Sequence, residues 1–466
     1  MQHTRLLLLL AALSFIPTLF FYSVGEEGIY TISTMEMWQS RNWFIETMYG
    51  INLQRPPLMN WLGVGIANLL GWTHVLHSIR LLSIAATLGM AAWLYWLSAR
   101  LFADRSFAAF AALGCLAMAD LALYRGWLAY TDPLFAFFTF AAMASLWVAA
   151  LEKHKGWLLA SVLLVSCALL TKAFTAYVFY ATVGFVLLWR QETRRFLLSP
   201  AALLILFSAL IVPYLWFSSI PQAGGQSGSM LNEIVRKLAI EGGAFAYLNK
   251  LLTFPLEVAF RLSPVVLLAV YLLLRKRMVD EETRPQYFQA AAWMTALGFL
   301  PYWLSPQSSI RYLLPLYPFI ALIAARLIWR AGTAAQSLAL RWFTGLLVFK
   351  LLFGVLLYPY YQSHFRGENY VTAAHEIAAQ TANFPLYSND PRSITENIVS
   401  EIDRLNMPNR LVFAPPPHWD NGFLLAMEIE TDSQVFSKLR VANDDLYLLC
   451  RGRACNVPRS LTRDSF

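Results

Sequence analysis

The sequence predicts a polytopic membrane protein, built mainly from α-helices, with a small α/β domain at its C-terminal end. Composition is the first reason: 58% of the 466 residues are hydrophobic and only 14% are charged, whereas soluble domains carry about 25% charged residues. The second reason is a series of long apolar runs, and the third is a change of composition near residue 361. The net charge of +8 is typical of basic cytoplasmic loops. No basic module with interleaved aromatic residues is visible, which argues against nucleic-acid binding.

A helix needs about 20 apolar residues to cross the hydrocarbon layer of a bilayer. The first run resembles a signal peptide, but its length and the lack of a small-residue cleavage site favour a retained helix. About eleven spans are predicted, near 5–24, 79–99, 106–124, 131–151, 156–172, 174–190, 198–218, 257–275, 287–304, 312–330 and 339–360.

The orientation follows from the basic turns, which alternate along the chain. If all of them are cytoplasmic, one consistent threading satisfies the positive-inside rule. It places the N-terminus inside and residues from 361 onward outside. The turns contain Arg100 and Arg105, Lys153 and Lys155, Arg190, Arg194 and Arg195, Arg275 to Arg277, and Arg326, Arg330 and Arg341.

Within the predicted membrane domain, residues 1–360, two long segments face outward without spanning. Residues 25–78 contain Pro56-Pro57 and two amphipathic stretches, 30–43 and 58–70, which predict helices lying in the interface plane. Residues 219–256 open with a glycine-rich stretch, which is typical of either a lid or a plain linker.

A compact α/β domain is predicted for 361–466, on the outer face. Charged, Asn and Pro residues become frequent there, and the apolar runs shorten to strand length at 410–414 and 445–450. Helical patterns occupy 369–382 and 393–405. Cys450 and Cys455 can form a short disulfide if this domain is extracytoplasmic.

Charged residues at membrane depth are costly and by default mark function. Each one alone can also be a solvated or snorkelling charge at a helix end. Cations collected on the outer side run against the orientation rule, and they indicate an anionic ligand, for which phosphate is the natural candidate. Phosphate beside carboxylates at a membrane suggests a lipid-phosphate substrate. For Lys350, inside the last span, snorkelling and a buried role stay equally open. The charges placed outside are Glu26, Glu27, Arg55, Arg125, Asp132, Lys172 and Arg311.

Five segments, in order and at similar spacing, resemble the GT-C glycosyltransferases of the aminoarabinose-lipid A transferase and protein O-mannosyltransferase type. The resemblance covers residues 1–330 and is strongest in the first 175. It implies a GT-C-like helix bundle. The segments are Gly25-Glu-Glu-Gly-Ile-Tyr30, Gln54-Arg-Pro-Pro-Leu58, Thr131-Asp-Pro-Leu134, Thr171-Lys172 and Arg311-Tyr-Leu-Leu-Pro-Leu-Tyr-Pro318.

The chain departs from that family at three positions. Members carry Asp-Glu, an aromatic residue three positions later, and then Lys-Pro-Pro-Leu; here Glu26 stands at the Asp position and Arg55 replaces the Lys. Gln54 falls where the lipid A transferases have a metal-liganding Glu. Because a neutral amide is a poor zinc ligand, no metal is expected at that position, and no cofactor is expected.

The resemblance implies transfer of a sugar from a polyprenyl-phosphate donor to an acceptor, with inversion at the anomeric carbon. Glu26 is the first candidate for the general base and Glu27 the second, while Asp132 is an auxiliary or positioning acid. The leaving phosphate would be stabilised by cations, and aromatic and basic neighbours would position the substrate. The phosphate-binding candidates are Arg55, Lys172 and Arg311, and the positioning candidates are Tyr30, Arg125 and Tyr312.

The acceptor stays open. A lipid A-like envelope glycolipid is the first expectation, a protein hydroxyl the second, and a growing polysaccharide or carrier lipid the third. Transfer is expected at the periplasmic face of a bacterial inner membrane. A transporter or flippase of lipid-linked sugars is the alternative from another class; it would favour inverted repeats and paired broken helices, neither of which is visible in the sequence. A third alternative is a catalytically inactive relative, because of Glu26 and Gln54.

Overall fold

The computed structural model describes residues 2–219, 243–276, 281–362, 364, 368–430, 432–441 and 444–458. The chain forms two compact units, and they do not follow the predicted boundary between 360 and 361. The segment 17–82 groups with the C-terminal residues because the helix Glu27–Ser40 packs against the helix Ser393–Asn406. Residues 220–242, which hold the glycine-rich stretch predicted as lid or linker, lie outside the described residues. The first unit comprises Met1–Ile16, Ser83–Trp127 and Thr131–Leu351, and the second comprises Pro17–Leu82, Leu128–Tyr130 and Leu352–Phe466.

The first unit is helical. Its core is apolar and aromatic: the Phe319 ring lies 5.2 Å from the Phe140 ring and 6.0 Å from the Trp147 ring. The α-helices are Gln2–Leu13, Val75–Phe102 (in this unit from Ser83), Arg105–Leu116, Thr131–Glu152, Lys155–Thr171, Thr175–Trp189, Gln191–Leu197, Pro200–Ser208, Ile211–Ser219, Gly243–Arg261, Val265–Leu274, Pro285–Leu304, Tyr317–Arg330 and Thr333–Leu352, with a π-helix at Asp120–Arg125 and a 3-10 helix at Ile310–Leu316.

Each predicted span coincides with one helix or with two or three consecutive helical segments. By length and apolar composition, six described helices can cross a membrane, or seven if the bent pair Gly243–Arg261 and Val265–Leu274 is one span. The chain bends by 112° between the two helices of that pair, next to Pro264, which has no N–H to continue a helix. The mainly α, multi-pass architecture is therefore confirmed, whereas the count of eleven is not.

Lys350 is buried, at 3% exposure, in the helix Thr333–Leu352. Its Nζ lies 3.0 Å from the centre of the Phe15 ring, a cation–π arrangement. Of the two readings of Lys350 left open by the sequence, the buried one is therefore correct.

The second unit combines helices with a mixed sheet. Strands β1 (Thr47–Met48) and β2 (Ile51–Asn52) form a hairpin, and β3 (Leu386–Tyr387), β4 (Gly422–Ala426), β5 (Gln434–Val441) and β6 (Asp444–Arg451) form a sheet of order β3-β4-β6-β5, in which only the β3–β4 pair is parallel. Cys450 and Cys455 form the disulfide, with an S–S distance of 2.03 Å. The α-helices are Glu27–Ser40, Leu58–Leu70, Val75–Phe102 (in this unit as far as Leu82), Tyr358–Tyr361, Glu368–Gln380 and Ser393–Asn406, with 3-10 helices at Ile16–Phe20, Trp72–His74 and Gly452–Asn456 and a π-helix at Phe353–Leu357.

The predicted helices 369–382 and 393–405 and the strand 445–450 are present in this unit within two residues. The predicted strand 410–414 was wrong: only one bridge, between Tyr387 and Phe413, forms there. The reason is that its backbone donors have other acceptors. The Val412 N–H donates to the Asp403 carboxylate at 2.8 Å, and the Ala414 N–H donates to the Tyr49 carbonyl at 2.9 Å.

Candidate active site

A tight turn precedes the helix Glu27–Ser40 and carries the acid pair. Gly25 has a φ of +60°, and a Cβ at this position would collide with the Tyr130 hydroxyl. The Glu26 N–H donates to the Tyr130 hydroxyl oxygen at 2.9 Å, and the Glu26 residue is exposed. Glycine therefore permits a turn that presents Glu26 to solvent at the start of a buried helix.

Glu27 is placed very differently, in a fully buried ion pair with Arg80. Arg80 Nε and Nη2 donate to the two carboxylate oxygens at 2.9 and 2.5 Å. The Ala129 and Val24 N–H groups complete the acceptor shell at 2.7 and 2.8 Å. No carboxylate lone pair is left for a substrate. The other Arg80 N–H groups donate to the carbonyls of Thr18, Leu19, Phe21 and Tyr22.

Sequence reasoning missed Arg80. The available signal was its place near the start of the apolar run predicted as the span 79–99, where an ionisable residue is costly. Its carboxylate partner lies 53 residues earlier in the chain, a distance that no local motif reveals.

Arg55, which is exposed, lies close to the acid turn, with its guanidinium carbon 6.0 Å from the centre of the Tyr30 ring. The charge of Arg55 also acts on two buried carboxyl groups, Glu46 and Glu396. Burial raises the pKa of Glu46 from 4.5 to about 7, with the Arg55 charge acting against the rise. Burial also raises the pKa of Glu396 to about 8, the Glu26 charge adds to it, and Arg55 again opposes it. Arg55 is therefore a cation common to several acids of the second unit.

In the first unit the structure brings together four of the residues predicted for the site. Asp132, in the first turn of Thr131–Glu152, accepts a hydrogen bond from the Lys172 ammonium, and these side chains are 5% and 24% exposed. Lys172 Nζ lies 5.5 Å from the centre of the Tyr312 ring, and the Arg311 guanidinium carbon lies 5.3 Å from the same centre. Two cations thus converge on one tyrosine, and one of them is held by a carboxylate.

Arg125 contacts a different acid, which the sequence analysis did not single out. Its Nε lies 3.1 Å from Asp120 Oδ2, and the Tyr317 hydroxyl donates to the same oxygen at 2.7 Å. Arg261 Nη1 lies 3.5 Å from Asp120 Oδ1. Asp120 therefore anchors two arginines and a tyrosine, and the predicted role of Arg125 in positioning substrate stays a prediction.

The predicted residues fall into both units. Glu26, Glu27, Tyr30 and Arg55 belong to the second unit, and Asp132, Lys172, Arg311, Tyr312 and Arg125 belong to the first. Their joint action in one site, and the metal-free character of the Gln54 position, stay predictions. Among the described residues, no group of three or more His, Cys, Asp and Glu side chains is placed to hold a metal ion.

A family model described as dolichyl-phosphate-mannose-protein mannosyltransferase matches residues 54–217. Among solved structures, ArnT from Cupriavidus metallidurans bound to undecaprenyl phosphate is similar, with a TM-score of 0.69 and 15% identity over 97% of this chain and 98% of that chain. The apo form of the same protein has a TM-score of 0.64 at 15% identity and the same coverage. An oligosaccharyltransferase from Archaeoglobus fulgidus, tethered with an acceptor peptide, has a TM-score of 0.50 at 12% identity over 89% of this chain and 64% of that chain.

No curated protein sequence matches the chain. The ArnT structures show the fold, and the family model gives a match in sequence over the first part of the chain. Together they confirm the resemblance predicted from the sequence motifs. The chain is a membrane glycosyltransferase that resembles the GT-C enzymes of the aminoarabinose-lipid A transferase and protein O-mannosyltransferase type.

Proposed function

We propose that this glycosyltransferase moves a sugar from a polyprenyl-phosphate donor to an acceptor at the periplasmic face of a bacterial inner membrane, with inversion at the anomeric carbon. The similar ArnT structure was solved with undecaprenyl phosphate bound, which supports the class of donor. A lipid A-like glycolipid is the first candidate acceptor. The match to a protein mannosyltransferase model favours a protein hydroxyl as the second.

One observation carries the assignment of the base. Glu26 is exposed, whereas both oxygens of Glu27 are occupied by Arg80 and two backbone N–H groups. A general base must reach the proton that it removes. Glu26 is therefore the base, and Glu27 is the structural acid that fixes the turn beside it.

In the proposed reaction, these groups account for the proton that is removed and for the charge of the leaving group. The acceptor oxygen attacks the anomeric carbon from the face opposite the phosphate, and its proton passes to Glu26. The bond between the anomeric carbon and the phosphate oxygen breaks, and the polyprenyl phosphate leaves as an anion. Such a leaving group needs little protonation, so positive charge suffices to stabilise it. Arg55, Lys172 and Arg311 are the residues proposed for that task.

Asp132 then acts through Lys172. Its carboxylate is 5% exposed and holds the ammonium, whereas Lys172 is 24% exposed. A partly exposed ammonium can add a phosphate oxygen to its contacts, because it has three donors. Asp132 is thus a positioning residue rather than a second base.

The test is turnover of radiolabelled polyprenyl-phosphate sugars by the purified protein, with lipid A and a hydroxyl-containing peptide as alternative acceptors. We expect transfer to one of them, and a loss of about 10²- to 10⁴-fold in Glu26→Gln. Glu152→Gln, at an exposed acid of the first unit, is the matched control. Undiminished transfer by Glu26→Gln would exclude Glu26 as the base. Movement of the donor between vesicle leaflets without transfer would identify a transporter instead.

A second measurement identifies the acceptor and the sugar. Mass spectrometry of envelope lipids and proteins, from cells with and without the protein, should show one sugar modification that depends on it. If cells without the protein lack the sugar modification on their lipids, the first candidate acceptor is supported. If they lack it on their envelope proteins, the second is supported.

A further inference from the structure

The acid turn is held by a side chain from near the C-terminal end of the chain. The Gly28 N–H donates to Asn397 Oδ1 at 3.0 Å, and Asn397 Nδ2 donates to the Gly25 carbonyl at 3.0 Å. One amide therefore connects both ends of the turn that contains Glu26. Both residues that it bonds lie in the same compact unit as Asn397.

The fit around this amide is close. A Cβ at Gly28 would lie 2.6 Å from the carbonyl carbon and oxygen of Glu396, so only glycine lets the two backbones approach. One turn further along each helix, the hydroxyls of Thr31 and Ser400 lie 2.5 Å apart. The helix Ser393–Asn406 is thus bonded to the turn and to the first turn of the helix that follows.

The chemistry of Asn397 suits this task. An amide offers a donor and an acceptor on one side chain, whereas an ionised carboxylate offers acceptors alone. Asn397 is 1% exposed. Its loss would leave the buried Gly28 N–H and the partly buried Gly25 carbonyl without these hydrogen bonds, which is unfavourable, and it would release the turn.

The neighbouring residue, Glu396, adds an electrostatic connection. It is 2% exposed, and its Oε2 has no hydrogen-bond partner among the described residues. The charged and titratable groups that face it are Glu26, Arg55, Asp390 and Tyr49. A negative charge on Glu396 would therefore act directly on the proposed base and on a proposed phosphate-binding cation.

We propose that the helix Ser393–Asn406 belongs to the catalytic apparatus: Asn397 is a positioning residue that holds the Glu26 turn, and Glu396 controls the charge around Glu26 and Arg55. The proposal rests on the function proposed above for Glu26. A displacement of a reacting group by about 1 Å can cost 10²-fold in rate. The amide acts on the turn and contacts no substrate, so its removal should lower kcat much more than it raises the KM for the donor.

The first test compares Asn397→Ala and Asn397→Asp with Asn409→Ala, a change at an exposed asparagine. We expect kcat to fall about 10- to 100-fold in Asn397→Ala, with the donor KM within about 2-fold. Asn397→Asp keeps the acceptor for Gly28 and loses the donor to Gly25, so its kcat should be intermediate. Asn409→Ala should equal the wild type. Glu26→Gln, measured alongside, tests the proposed function separately.

The second test is the pH profile of kcat/KM in Glu396→Gln, which also serves if Asn397→Ala does not fold. As pH rises through about 8, Glu396 becomes charged in the wild type and opposes the anionic donor at Arg55. The wild-type profile should therefore fall there, and Glu396→Gln should lack that fall. The proposed function stands if the wild type is active and Glu26→Gln is not. In that case the inference is wrong if Asn397→Asp keeps the wild-type kcat and Glu396→Gln keeps the wild-type pH profile.

Discussion

Each compact unit contains an acid–cation pair whose acid lies in the first turn of a helix. The two pairs differ in how deeply they are buried. Glu27 opens the helix Glu27–Ser40 and pairs with Arg80; Asp132 stands in the first turn of its helix and pairs with Lys172. The first pair is fully buried. In the second pair, Lys172 is 24% exposed.

The difference lies in how many of the polar atoms are already used. Arg80 donates to two carboxylate oxygens and four carbonyls, and Glu27 accepts from two backbone N–H groups besides. Such a pair stabilises a fold and has nothing left for a ligand. Lys172 contacts one carboxylate and lies near the Tyr312 ring. Burial together with complete hydrogen bonding therefore distinguishes a structural charge from one available for binding.

The largest effect on stability is expected from Arg80→Met. It leaves Glu27 buried without a counter-charge, which costs about 3–5 kcal/mol. The measurement is the free energy of unfolding in detergent. The double variant Arg80→Met, Glu27→Gln should recover part of that loss, because the uncompensated charge is gone. If Arg80→Met alone lowered the free energy of unfolding by less than about 1 kcal/mol, the buried pair would not be the structural one.

Lys172→Met should act mainly on the reaction. We expect kcat/KM for the polyprenyl-phosphate donor to fall about 10²- to 10³-fold, as for other donors that stabilise a developing anion. Unfolding should be affected less than in Arg80→Met, because Lys172 is 24% exposed whereas Arg80 is fully buried. Lys155→Met, at an exposed lysine, is the control. Equal loss of activity in both lysine variants would remove the proposed role.

Glu46→Gln tests the burial of an acid that has no bidentate cation among the described residues. The folded-state pKa is raised from 4.5 to about 7, so the folded protein binds the proton more tightly than the unfolded chain does. The contribution of Glu46 to stability is therefore present below about pH 4.5 and lost as pH rises towards about 7. It amounts to on the order of 3 kcal/mol at most, since one pKa unit corresponds to about 1.4 kcal/mol.

The measurement is the free energy of unfolding at pH 5 and pH 8 for wild type and Glu46→Gln. Other buried acids, such as Glu36 and Glu396, contribute to both proteins alike. The wild type should lose more stability between these pH values than the variant. An identical pH dependence in the two proteins would show that Glu46 is not a buried neutral acid.

The smallest effect is expected at an exposed pair. Arg100 and Glu152 are 38% and 43% exposed, and such pairs contribute about 1 kcal/mol or less. Arg100→Ala should therefore change the free energy of unfolding by no more than that. A loss as large as that of Arg80→Met would show that burial is not what separates the two kinds of pair.

Much of the helical architecture could be predicted because apolar runs are a local property of the sequence. The helix Leu58–Leu70 has the predicted bounds, and the predicted span 131–151 is the helix Thr131–Glu152. The prediction of strands was wrong or incomplete where tertiary contacts determine the backbone pairing. The hairpin at Thr47–Met48 and Ile51–Asn52 has two residues in each strand, too few for any periodicity, and the donors of 410–414 bond elsewhere.

For the candidate site, the motifs predicted some of the side chains that lie near one another, but not how each acid is paired. Lys172, Arg311 and Tyr312 were expected together and do converge. The distinction between Glu26 and Glu27 could not be predicted, because it depends on Arg80, whose pairing is a tertiary contact. Asn397 lies 369 residues from Gly28, so its role is invisible to any motif.

The disulfide between Cys450 and Cys455 also offers a test of the membrane topology of the chain. Disulfides persist in oxidising compartments and are reduced in the cytosol, so the oxidation state of this pair shows on which side of the membrane β6 ends. When cells are denatured in the presence of a thiol-alkylating reagent, Cys115 and Cys167 should be alkylated directly, because both are free cysteines. Cys450 and Cys455 should be recovered as thiols only after reduction. A peptide map therefore reads the orientation without any fusion tag.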